Sequence, residues 1–173
     1  MSTPGTGRVS PGDIDYIHGK LVIISGALSL SPLIYAFIIL FLSRSMTDPP
    51  LLAEPLLAWA LVAAGLIAVV AAFAVRSMLL DPLRLSGRIS TAPPPPGRPA
   101  AYTPIITAQI IPMAAAESAG VMGVMLFFLT RDLTAALLLC GVSLAGMVFL
   151  FPRRSSLAEL LDRLAVMDPG GPV

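Results

Sequence analysis

Four apolar runs, each close to the length that crosses a lipid bilayer, constrain this chain more than anything else in it. They occupy residues 21–42, 55–75, 104–130 and 133–151. A hydrocarbon core of about 30 Å needs roughly 20 helical residues, at about 1.5 Å of rise each. Inside lipid no water satisfies a bare backbone, so a single run of that kind must bond to itself as a helix. The predicted fold is therefore all-α, a polytopic membrane protein with four transmembrane helices. Composition agrees: 56% of the 173 residues are hydrophobic and 12% charged, against about a quarter charged in soluble domains.

The links predict how the spans pair. "SMTDPP" (45–50) and "TRDL" (130–133) are short, which implies two antiparallel hairpins. Glu54 ahead of Pro55 puts an acid beside a proline at a first helical position, as a helix start favours. Residues 1–20 carry Asp13 and Asp15 before any apolar run. That is unlike a cleavable leader, so the first span is expected to remain as an anchor. Between the hairpins, residues 76–103 contain "PPPP" at 93–96. Four prolines favour an extended polyproline II spacer rather than a folded element; a ligand for a proline-binding module is the alternative.

Basic residues predict orientation. Arg8, Lys20, Arg76, Arg84, Arg88, Arg98, Arg153, Arg154 and Arg163 fall in the N-terminal tail, the middle loop and the C-terminal tail. Only Arg44 and Arg131 fall in the two short turns. The positive-inside rule then places both termini and the proline-rich loop in the cytoplasm. In the tail (152–173), "SLAE" at 156–159 reads as a capping box, and Leu157, Leu160, Leu161 and Leu164 share a face. The expectation is an amphipathic helix on the inner membrane surface, with partner docking as the other use of that face.

The rest of the composition narrows the function. A net charge of +1 gives no reason to expect nucleic acid. Cys140 is the only cysteine and His18 the only histidine, so no transition-metal cluster or cofactor is expected. No nucleophile–base pair is visible, and an enzyme is not expected.

One carboxylate interrupts the third span. Glu117 lies 13 residues after Pro104 and 13 before Thr130, about 20 Å from either end. An acidic side chain at that depth costs roughly 2.5–3.5 kcal/mol on insertion scales. It must be neutral, partnered or wet. No basic residue falls within the four spans, so the protonated form is expected. Gly120 and Ala114 leave space beside it, and Ser118 could donate to it. Pro112 frees the Ala108 carbonyl and Gln109 adds polarity nearby. Ala60, Ala64, Ala68 and Ala72 recur every four residues in the second span; such a small-residue stripe permits close helix packing. These residues support two readings: a proton site at Glu117, or a hydrogen-bonding group that joins helices.

"AAAESAGVMGVMLFFL" (114–129) resembles the carboxylate helix of c-type proteolipids, the c subunits of F-type and V-type rotary ATPases. In those helices small residues precede a glutamate, an aromatic commonly follows five positions later, and a glycine six later. Ala114, Ala115 and Ala116 precede Glu117 here, and Gly123 stands at the sixth position. Met122 takes the place of the aromatic, and 28 residues replace the family's short polar turn. The resemblance implies a proton- or sodium-binding carboxyl at Glu117, packed against a small-residue helix, in a protein that associates with itself or with other membrane subunits. A four-helix layout with a glutamate in the third span and "FPRR" closing the fourth also resembles small bacterial inner-membrane proteins.

Overall fold

A computed structural model describes residues 11–46, 55–91 and 102–167. Six helices make up the described chain: α1 (Pro11–Ser45), α2 (Pro55–Leu79), α3 (Pro82–Thr91), α4 (Tyr102–Thr130), α5 (Leu133–Leu150) and α6 (Arg154–Met167). α1, α2, α4 and α5 are long and apolar enough to cross a membrane. The fold is all-α, with no strand among the described residues. Glu54, the 93–96 prolines and most of the 45–50 turn lie outside the described residues.

Contact register gives the directions. Going down α4, Gly123 meets Ala136 and Leu139, Gly120 meets Ser143, and Ala116 meets Gly146. Positions fall on α5 as they rise on α4, so the two run antiparallel. Their two-residue turn is well specified. Arg131 adopts the left-handed conformation (φ 59°) that ends α4. Asp132 then caps α5 by accepting from the Ala135 amide at 3.0 Å. Gly65 of α2 faces Ala119 and Ala72 packs with Met113 and Ala116, so α2 also runs antiparallel to α4. Tyr35 of α1 meets Gly120 and Ile39 packs with Phe127, so α1 runs parallel to it.

The first two spans run antiparallel to each other and lie apart along α4. α1 packs on α4 and α5, α2 packs on the same two helices, and the backbones of α1 and α2 do not approach closely among the described residues. The reason lies on α4. Ala116, Ala119, Gly120 and Gly123 are all buried, and such small residues let helices approach from more than one side. A Cβ on Gly123 would stand 2.7 Å from the Ala136 carbonyl. Helix α4 is thus the axis of the bundle, and α1 and α2 are its flanks.

A helical cap covers the end of the bundle where α1 begins. Residues 76–103 are expected to form a spacer, but α2 continues to Leu79 and α3 follows. Asp81 starts α3: its carboxylate accepts from the Leu83 amide at 3.0 Å and its carbonyl from Leu85 at 2.9 Å. Pro82 sits at the first helical position, where its missing N–H costs nothing. Leu85 and Ile89 of α3 pack with Leu157, Leu161 and Leu164 of α6, with Ile17 and Leu21 of α1, and with Ile105. The C-terminal helix therefore gives its apolar face to the protein rather than to lipid. Its expected capping box is not formed either. α6 starts at Arg154, two residues before Ser156, and Glu159 pairs with Arg163 at 2.6 Å.

Candidate functional site

Glu117 is held by a residue that the sequence does not single out. The Tyr35 hydroxyl donates to Glu117 Oε1 at 2.9 Å, linking α1 to α4. Both side chains are partly buried. Glu117 makes no other hydrogen bond and no ion pair among the described residues. Its second oxygen is therefore free. Exposed Ala114 and Val121 flank it along α4, so the carboxyl stands at the edge of the α1–α4 seam and not in a sealed core.

Local sequence explains how Tyr35 gets there. Pro32 cannot donate to the Leu28 carbonyl. The Ser31 hydroxyl donates to it instead, at 2.5 Å, so α1 continues as a helix through the proline. On the facing helix, a Cβ at Gly120 would lie 3.1 Å from Tyr35 Cδ2 and 3.3 Å from Ser143 Oγ. Glycine at 120 gives the phenol ring its place beside α4.

The other expected site residues go elsewhere. Ser118 donates to the Ala115 carbonyl of its own helix at 2.7 Å, not to Glu117. Gln109 is buried, and its side-chain amide donates to the Leu150 carbonyl at the end of α5. Eight residues separate it from Glu117, about 12 Å along the helix, which is beyond hydrogen-bond reach. Gly123 receives α5, as above. Along α2, Ala60 is exposed, Ala64 and Ala68 are partly buried, and Ala72 is fully buried. The inner face of that helix is Gly65, Val69 and Ala72, so the alanine stripe runs along its edge and joins the core at Ala72.

Two further polar contacts secure α4 beside the site. Ser143 Oγ, fully buried, donates to the Ala116 carbonyl at 2.8 Å. Cys140 Sγ lies 3.9 Å from the Gly120 carbonyl. No group of three or more potential metal ligands exists among the described residues. Chemically, the arrangement offers one carboxyl with one phenol donor and one open oxygen, part-way through an apolar span.

No family model, curated protein or solved structure matches this chain.

Proposed function

We propose that Glu117, with Tyr35 as its donor, is a protonatable site in a small multi-pass membrane protein, serving proton translocation. The observation that carries this is the 2.9 Å phenol–carboxylate bond with the second carboxylate oxygen unpartnered. The bond offsets part of the cost of a charge at that depth, and the free oxygen leaves a place for a proton to enter. A bound cation would require several oxygen ligands. Only one phenol converges on the carboxyl among the described residues, which favours a proton over sodium. The c-type proteolipid resemblance supports the same role. Where many of those helices supply an aromatic at the fifth position after the glutamate, this chain has Met122, and a phenol comes from α1 instead.

Orientation belongs to the same proposal. The described basic residues Lys20, Arg76, Arg84, Arg88, Arg153, Arg154 and Arg163 gather on the first part of α1, the end of α2, α3, and α6 with the residue before it, around the cap. Arg44 and Arg131 lie at the other end. By the positive-inside rule the cap faces the cytoplasm of a bacterial inner membrane.

One observation favours a second reading, a non-transporting scaffold or accessory subunit. The Tyr35–Glu117 bond ties α1 to α4 side chain to side chain, and the backbones of α1 and α2 do not approach closely among the described residues. In that case the carboxyl is a clasp. Flux measurements separate the two. Proteoliposomes driven by an imposed membrane potential should acidify faster with the wild type than with Glu117→Gln. Equal rates at equal protein incorporation favour the clasp.

A further inference from the structure

A second polar feature lies at the cap end of the bundle, far from Glu117. A small cleft is lined by Leu21 of α1, Arg76 of α2 and Leu80 just after it, Ile105 and Gln109 of α4, Pro152 and Arg153, and Ser156, Leu157 and Leu160 of α6. Two guanidinium groups, Arg76 and Arg153, line it, and no acidic residue does. Arg76 uses one of its five N–H groups on the Phe149 carbonyl at 3.2 Å. Arg153 has no partner among the described residues. Neighbouring Arg154, by contrast, is neutralised by Asp15 at 2.7 Å. Two like charges sharing a cleft without a counter-ion among the described residues favour an anion there.

We propose that this cleft binds the phosphate of an anionic phospholipid headgroup. Its position selects a lipid over a soluble anion. Arg76 stands in the last turn of a membrane-length helix, and Pro152 and Arg153 directly follow another. That is the level at which headgroup phosphates lie. The free volume, about 40 Å³, takes part of a phosphate but no acyl chain. Leu80, Leu157 and Leu160 supply apolar walls at the same place. Arginine suits the task because its planar fork matches phosphate oxygens. Basic pockets between membrane helices are a recurring way to hold such lipids.

Native mass spectrometry of the delipidated full chain tests this, with phosphatidylglycerol, phosphatidylcholine and inorganic phosphate as probes. The wild type should retain phosphatidylglycerol in preference to phosphatidylcholine, and inorganic phosphate should not displace it. Arg153→Gln removes a group with no structural partner and should weaken retention about tenfold, the loss expected for a charge-assisted hydrogen bond. Arg76→Gln should act in the same direction, and Arg154→Gln, outside the cleft, should bind as the wild type. Equal retention of both lipids by the wild type overturns the proposal. So does unchanged retention in Arg153→Gln, or displacement by inorganic phosphate at lipid-like concentrations.

Discussion

Tyr35 and Gly120 fit against each other so closely that a methyl group on the glycine would stand 3.1 Å from the tyrosine ring. Ser143 presses on the same spot from α5, at 3.3 Å, while its hydroxyl is committed to the Ala116 carbonyl. Gly120→Ala must therefore push the phenol away from α4. We expect a loss of about 1–3 kcal/mol in stability and a weaker Tyr35–Glu117 bond. Thermal unfolding in detergent reads the first. Hydrogen exchange across residues 28–42 reads the second, because α1 should open more often.

Glycines elsewhere give a ranked prediction. At Gly123 an added Cβ meets the Ala136 carbonyl at 2.7 Å, and backbone cannot move aside cheaply. At Gly65 it meets the tip of the Leu139 side chain at 2.8 Å, which can rotate away. Gly141 has nothing within 4 Å. Melting temperatures should fall most for Gly123→Ala, less for Gly65→Ala, and not at all for Gly141→Ala. On α2, Ala72→Leu should destabilise and Ala60→Leu should not.

The cap predicts a third result. Leu161 is 2% exposed at the centre of the cap cluster, so Leu161→Ala should cost about 2–5 kcal/mol locally. Limited proteolysis should then cut within residues 153–164 far faster than in the wild type. A helix resting only on lipid would show no such change. Arg154→Ala breaks an ion pair in which both side chains are more than half exposed and should leave the cutting rate unchanged.

How much of this is legible in the sequence differs by element. The four spans are, because an apolar run of bilayer length has only one viable backbone. Glu117 is, because a lone carboxylate stands out against such a run. Tyr35 is not: it lies 82 residues away, and an α1 tyrosine carries no periodic mark of what it faces. Gln109 sits near Glu117 in sequence but bonds to the end of α5. Helix α3 has a signal that the tetraproline obscures, an Asp81–Pro82 start followed by Leu85 and Ile89 one turn apart. For α6 the apolar face is readable but its occupant is not. Amphipathicity alone cannot tell a lipid surface from the flank of α1.

The orientation proposal has its own check. In a Cys140→Ser background, which keeps a donor for the Gly120 carbonyl, cysteines at Ser45 and Ser155 occupy exposed positions at opposite ends of the bundle. An impermeant thiol reagent applied to intact cells should label Ser45→Cys and spare Ser155→Cys. The reverse pattern would invert the membrane placement and leave the helix packing as described.

The proton site itself is tested most directly by carbodiimide modification. Dicyclohexylcarbodiimide reacts with protonated carboxyls in apolar surroundings. Intact-mass and peptide mass spectrometry of the wild type should show a single adduct at Glu117. Glu159 is ion-paired and exposed and should stay unmodified. Glu117→Gln should give no adduct while keeping the wild-type melting temperature. A wild-type protein whose Glu117 stays unmodified at every pH tested would contradict the account.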